Sequence, residues 1–381
     1  MKIAELDKNL AVEKRINEDI RKNLAFFDAE EKPFSIHGVF RDGESFARVP
    51  EKIAETVSEG VHSLSRCTAG GRVRFRTNSR HVAVLAACPE NEGMPHFAYT
   101  GVCGFDVYAD FRDSQRYFGT IVPPLGFQGG FEGVVTFPDE TMRTVTVNMP
   151  LYNGVNKLYI GIDEGSVLEE AAPYAELPVV YYGSSITQGG CASRPGCTYQ
   201  AIIHSTWNTD HINLGFSGNA RAEQEMMDYI ASLEMSAFVY DYDYNALSNE
   251  HYAATHYNGY RTVREKHPDI PIIMMTRPRR HPDNETMNRI RTMLNTYEKA
   301  KAAGDENIYY ITGLTLVGGR FTGEYCLVDD CHPTDLGFLM MAKRLMLVLN
   351  DALMESRRKK IGATVEDILN ENLEAFLELA K

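Results

Sequence analysis

An α/β domain on a doubly wound parallel sheet, preceded by an all-β sandwich, is the fold class this sequence predicts. Two patterns carry it. From residue 177 onward, short apolar runs alternate with stretches of helical period, the alternation that builds a parallel sheet with helices on both faces. Before residue 170 the runs are short, alternating or aromatic-rich, and separated by glycine turns, which is the pattern of a sandwich. A length of 381 residues accommodates both as two domains.

Taken in order, residues 1–32 read as a helical or irregular segment packed along the outside of the sandwich. The sandwich, residues 33–168, takes its strands from FSIHGVF, GRVRFRTNSRHVAVLAA, GFDVYADF, RYFGTIV, GFEGVVTF, RTVTVNMP and KLYIGID, with turns at AGG, PENEG and YNG. The acidic, proline-containing stretch DEGSVLEEAAPYAELP, near 163–178, reads as the linker. The α/β domain follows over 177–355. Its first strand is the apolar run Leu177 to Tyr182, ended by Gly183. Further strands are expected at His211–Leu214, Ala237–Tyr242, Ile272–Thr276 and Ile308–Thr312, and helices at Thr198–Trp207, Ala220–Leu233, His251–Lys266 and Glu285–Ala303. Gly304 suits the end of the last of these. A final helix starts near Pro333, a residue favoured at the first helical position. Residues 356–381 then repeat apolar positions at Ile368, Leu369, Leu373, Phe376 and Leu377, an amphipathic helix that must cover its own sandwich or another protomer.

This architecture gathers polar residues at one edge. Ligands of open α/β sheets bind at the carboxyl ends of the strands. Ser185 in LPVVYYGSSITQGG lies just past such an end, as do Asn213–Asn219 and Asp241–Asn245. About 145 positions after the serine, Asp329 and His332 stand three residues apart in VDDCHPTDLGF. A serine hydroxyl becomes nucleophilic when an imidazole takes its proton, and a carboxylate fixes that imidazole's tautomer. Ser185, His332 and Asp329 supply the three parts. The N–H groups of Ser185 and Gly218 and the amide of Asn245 suit an oxyanion hole. Each also has a plainer reading: Gly218 as a turn residue and Asn245 as a helix N-cap.

These blocks resemble the SGNH or GDSL-type esterases and acylhydrolases. GSSITQG is similar to their first block at Ser185, NLGFSGNA to the second at Gly218, DYDYN to the third at Asn245, and DDCH to the last. The order and spacing agree over residues 177 to about 350. Two positions depart: Ser184 replaces the usual Asp before the nucleophile, and Tyr244-Asn245-Ala246 replaces the usual Gly-x-Asn-Asp. The resemblance implies a flavodoxin-like three-layer domain and a serine nucleophile. With an N-terminal sandwich, jelly-roll-like in this reading, the chain also resembles the second family of carbohydrate esterases, which implies hydrolysis of acetyl esters of sugars. Lipid acylhydrolase or thioesterase chemistry, or sugar binding without reaction, stands as the alternative.

The remaining features bound the function. A formal charge of −13 and pI near 5.4 argue against a nucleic-acid or anionic-membrane partner. With no apolar leader and no run of about 18 apolar residues, a cytoplasmic enzyme acting on a small-molecule or oligosaccharide ester is expected. The chemistry needs no cofactor. Seven cysteines without C-x-x-C pairs predict neither a disulfide framework nor a zinc ribbon. Cys331 beside His332 invites a metal reading, but Asp329, Asp330, Cys331 and His332 are nearly contiguous and need a further ligand from elsewhere, so no metal is expected. Arg194 in GGCASRPGCTY and Arg277 in TRPRRHP are candidates for substrate contact, or else loop arginines on the rim. Phe97, Tyr99 and Phe105 are sandwich aromatics that either stack on a sugar or fill the core.

Overall fold

The computed structural model describes residues 12–317 and 323–361. The C-terminal part of the 356–381 helix, with Ile368, Leu369, Leu373, Phe376 and Leu377, lies outside the described residues, as do residues 1–11. Among the described residues, no helix is long and apolar enough to cross a membrane.

The N-terminal half carries β1 (Leu24–Asp28), β2 (Ser35–His37), β3 (Phe40–Asp42), β4 (Ser45–Ala47), β5 (Arg72–Thr77), β6 (His81–Ala87), β7 (Phe105–Phe111), β8 (Ser114–Ile121), β9 (Gly130–Thr136), β10 (Arg143–Asn148), β11 (Lys157–Asp163) and β12 (Leu168–Glu169). One antiparallel sheet runs β1-β11-β6-β9, and the other runs β12-β5-β10-β7-β8 with β2 also on β5. Period-two alternation closes them face to face. Val73 and Phe75 of β5 share one core with Val82, Val84 and Ala86 of β6 and with Leu158, Ile160 and Ile162 of β11. The outward residues Phe26, Ala83, Leu85 and Tyr159 are covered by Ile16, with Val12 and Ile20 against them.

Three local expectations change. Residues 24–28, read as helical or irregular, form β1 in register with β11. The linker contributes β12, paired with Arg76 and Thr77. The stretch before β5 holds two helices, α1 (Glu51–Val57) and α2 (Glu59–Ser65), the second capped by the Ser58 hydroxyl accepting from Val61 N–H at 3.1 Å.

The C-terminal half is a parallel sheet of β13 (Val179–Gly183), β14 (His211–Gly215), β15 (Ala237–Asp241), β16 (Ile272–Met275) and β17 (Ile308–Ile311), in the order β14-β13-β15-β16-β17. This is the flavodoxin-like order. Helices α3 (Ser185–Gln188), α4 (Tyr199–Trp207), α5 (Gln224–Ser232), α6 (Asn249–Lys266), α7 (Asn284–Ala302) and α8 (Asp335–Ile361) alternate with the strands. Val179, Tyr181, Val239 and Ile273 face Ile203 of α4 and Phe338, Leu345 and Leu349 of α8. Val180, Tyr182, Phe238, Tyr240 and Ile272 face Met226 of α5, Val263 of α6 and Met293 of α7. Both faces are therefore buried, which explains continuous apolar strands without polar alternation.

The halves interlock. One apolar cluster runs from Phe75 and Val147 of the sandwich to Tyr181 and Phe338 of the other half, while Val49, Ala54 and Val61 join the far face of the parallel sheet. Arg48, 1 % exposed, donates to the carbonyls of Leu64 and Cys67 on its own side and to Asn213 and Gly215 of β14, at 2.7, 2.7, 3.1 and 2.6 Å.

Candidate active site

The backbone after β13 decides which serine is presented. Ser184 is the N-cap of α3, its hydroxyl accepting from Ile186 N–H at 3.2 Å. Ser185 begins the helical turn with its hydroxyl free of capping. The crossing to β14 is tight: a Cβ at Gly215 would land on the backbone N–H of Gln188, so only glycine fits. With four residues, α3 offers local N–H groups rather than a long-helix dipole.

The DDCH segment folds back on itself. Val328 N–H donates to His332 O at 2.8 Å, and Asp330 adopts φ +61°, a left-handed conformation that Asp tolerates. The Asp329 carboxylate thereby accepts from the backbone N–H groups of His332 and Cys331 at 2.7 and 3.1 Å, and pairs with His332 Nδ1 at 2.8 Å. The other ring nitrogen, Nε2, lies 2.9 Å from Ser185 Oγ. The three residues proposed from the sequence thus meet in one hydrogen-bonded line across 147 positions of chain. Partial burial opposes ionisation of Asp329, yet its N–H and imidazole partners hold it below the ordinary carboxylate range. The Cys331 sulfur, 4.0 Å from Nε2, and the Asp329 carboxylate raise the His332 pKa to about 9 against the opposing effect of burial.

The other two blocks converge by backbone geometry. Gly218 has φ +70° with open space where a Cβ would stand, so backbone conformation rather than crowding calls for glycine. Its turn is held by Asn219 N–H on Phe216 O at 2.9 Å and by Ser217 N–H on Gln188 Oε1 at 2.9 Å. Asn245 ends a short 3₁₀ turn, and its Oδ1 accepts from Ala220 N–H at 3.4 Å. That contact turns the carbonyl side of the amide to the Gly218 loop and leaves its NH₂ as the donor side. The N-cap of α6 is Ser248, whose hydroxyl accepts from His251 N–H at 3.1 Å, so Asn245 does not serve as the cap.

Two candidate substrate contacts are engaged elsewhere. Arg277, 6 % exposed, donates through its backbone N–H and Nε to the buried Asp243 carboxylate at 2.9 and 3.1 Å, and lies 4.2 Å over the Tyr244 ring. It fixes the turn that carries Asn245. Arg194 donates to Asp106 Oδ2 at 2.8 Å and Tyr108 OH at 2.6 Å and covers the Tyr117 ring at 4.0 Å, tying the loop after Ser185 to the sandwich. Of the aromatics, Phe105 is core, Tyr99 donates to Asn91 O at 2.8 Å, and Phe97 packs edge-on against Tyr152.

The sandwich contributes residues that the motifs did not reveal. Tyr152 OH donates to Ser185 O at 3.1 Å, and the exposed His96 ring lies 5.5 Å from that of His332. Cys191 follows in the loop after α3 with φ +74°. Tyr152 and His96 carried no sequence signal, because their proximity is made by the packing of the halves, whereas Cys191 follows Ser185 closely in sequence. A cavity of about 330 Å³ opens at the opposite edge of the sheet, lined by Val179, Asp210, Ser236 and Leu353. It touches the amino ends of the strands and is remote from this chemistry.

Residues 176–350 match the GDSL-like lipase/acylhydrolase family, and residues 24–168 match GxDLY, the N-terminus of SGNH-hydrolase-type esterases. The chain reads Gly104-Phe105-Asp106-Val107-Tyr108 where that second name spells G-x-D-L-Y, and Asp106 and Tyr108 are the groups that hold Arg194. A structure from Bacteroides ovatus ATCC 8483 described as a GDSL-like lipase is 27 % identical, covering 87 % of this chain and 98 % of its own, with TM-score 0.77. The salicylyl-acyltransferase SsfX3 from a tetracycline biosynthetic pathway is 19 % identical over 86 % and 98 %, TM-score 0.71. A family two carbohydrate esterase from Cellvibrio japonicus is 12 % identical over 87 % and 98 %, TM-score 0.57. These last two share the fold. A comparison with curated proteins finds no match. Residues 176–350 are thus similar to the GDSL-like lipase/acylhydrolase family, and residues 24–168 before them to the N-terminal unit of SGNH-hydrolase-type esterases.

Proposed function

We propose that this chain is a serine esterase that hydrolyses short-chain, chiefly acetyl, esters of carbohydrates. The observation that carries the reading is the line from Ser185 Oγ through His332 to Asp329, with spacings of 2.9 and 2.8 Å. Ser185 attacks the ester carbonyl as His332 Nε2 takes its proton, and the C–O bond to the sugar breaks as His332 returns that proton to the leaving hydroxyl. Water repeats the sequence on the acyl-enzyme and releases the acid. The N–H groups of Ser185 and Gly218 and the Asn245 amide hold the oxyanion. The fold shared with family two carbohydrate esterases supports a sugar leaving group.

A second reading is acyl transfer to a hydroxyl acceptor other than water, supported by the likeness to the salicylyl-acyltransferase. Turnover of aryl acetate against aryl octanoate, followed by a panel of acetylated oligosaccharides, tests the first reading. Preference for octanoate sinks the short-chain assignment. Formation of a new ester when an alcohol is added, at the expense of free acid, favours the second.

A further inference from the structure

Around His332 the two halves of the chain assemble a set of soft ligands that hydrolysis does not require. The sandwich supplies His96, from a tight turn in which Phe97 N–H donates to Met94 O at 3.1 Å, and its side chain is exposed. The loop after α3 supplies Cys191, a free thiol. One ligand atom from each of His96, Cys191 and His332 lies within 4.8 Å of the other two. Tetrahedral zinc, with Zn–S near 2.3 Å and Zn–N near 2.0 Å, holds its ligands roughly 3.6 Å apart, so small side-chain rotations close the set. The missing ligand that made a metal unattractive from the contiguous DDCH sequence comes from elsewhere in the fold.

The second coordination layer is also in place. Histidines that bind metals almost always give their other ring N–H to a carboxylate, a backbone carbonyl or water, which fixes the tautomer. His332 Nδ1 is paired with Asp329 at 2.8 Å, leaving Nε2 as the nitrogen that faces the cleft. Water completes the sphere, because Cys331 Sγ, 4.0 Å from Nε2, groups with Asp329 and His332 and not with His96 and Cys191. Imidazole and thiolate together select zinc-like divalent ions over magnesium or calcium.

We infer that His96, Cys191 and His332 form a binding site for a thiophilic divalent cation, which competes with Ser185 for His332 Nε2 and so switches hydrolysis off. Binding releases the Cys191 thiol proton and, below the His332 pKa of about 9, the His332 Nε2 proton to solvent, and forms one S–metal and two N–metal bonds, with no change of oxidation state. The inhibition rests on the esterase reading, whereas the binding does not.

The test uses the full chain, with Zn²⁺ delivered from a metal buffer and Co²⁺ as a spectroscopic substitute. Co²⁺ should give a thiolate-to-cobalt charge-transfer band, and His96→Ala or Cys191→Ser should weaken Zn²⁺ affinity by about tenfold or more. Aryl-acetate turnover should fall as Zn²⁺ binds and return on chelation, while both variants turn over with or without Zn²⁺. Cys191→Ala replaces the serine variant if that one does not fold. Lack of turnover by the metal-free protein would count against the esterase reading, and the cobalt spectrum would still decide the site. No thiolate band, or Zn²⁺ affinity and inhibition unchanged in the His96→Ala/Cys191→Ser double variant, would overturn the inference.

Discussion

Tyr152, on the sandwich, donates its hydroxyl to the backbone carbonyl of Ser185 at 3.1 Å, so the Ser185 backbone is held by a residue outside the parallel-sheet domain. Ser185 O also accepts from the N–H groups of Gly189 and Gly190, at 3.0 and 2.7 Å, so the carbonyl stays paired without the tyrosine. Tyr152→Phe should therefore cost only about 0.5–1.5 kcal/mol of stability, and kcat should fall while KM changes little. Thermal unfolding and steady-state kinetics together check this; a variant unchanged in both would mean that the contact does not hold the nucleophile.

The two adjacent serines should respond in opposite ways. Ser185→Ala should lower kcat by about 10³- to 10⁶-fold, in line with loss of a triad member elsewhere. Ser184→Ala removes a helix cap, costs about 1 kcal/mol, and should keep the nucleophile. Mass spectrometry after treatment with a serine-directed phosphonate should find the label on Ser185 in wild type and in the Ser184 variant. A label on Ser184 would reverse the assignment.

His332 acts as a base only when neutral, so kcat/KM should rise with pH. The pKa is raised from 6.5 to about 9 by Cys331 and Asp329, which places the midpoint of that rise well above the ordinary histidine value. Cys331→Ala should move the midpoint down toward 6.5. The same shift links to folding: a raised folded pKa contributes stability that is fully present below pH 6.5 and lost as pH rises through about 9. A midpoint at or below 6.5 in the wild-type profile would contradict the geometry around Nε2.

Asn245→Ala should cut kcat by about 10²- to 10³-fold with KM nearly unchanged, if its amide donates to the oxyanion. Since Ser248 provides the cap of α6, loss of stability should be small. A lowered melting temperature with intact kcat would instead make Asn245 a strut for the Gly218 loop through its contact with Ala220.

The strand-helix alternation was legible because each buried strand is continuously apolar and each helix carries its own cap or period. The serine, histidine and aspartate were legible because each follows a strand end or a self-contained turn whose geometry is local. The partners of Arg194 and Arg277 were not legible, for a definable reason. Arginine at a strand's carboxyl edge looks identical whether it meets substrate or a buried carboxylate, and Asp106 and Asp243, their partners, lie 88 and 34 positions away. Helices α1 and α2 were missed among strands, although Ile53, Ala54, Val57, Val61 and Leu64 follow a helical period. Their apolar face belongs to the core of the other half, a destination no local pattern records. The same long-range packing hid Tyr152 and His96.

The reach of Arg48 into β14 makes the protein a poor source of interchangeable parts. A graft of residues 177–355 onto a foreign scaffold would leave the carbonyls of Asn213 and Gly215 without their guanidinium donor and strip α1 and α2 from one face of the sheet. The strand feeding the Gly218 turn would lose its anchor first. Cutting the peptide between β12 and β13 after folding should therefore leave two fragments that stay associated, whereas either fragment expressed alone should fail to fold. The smallest portable unit is both halves together.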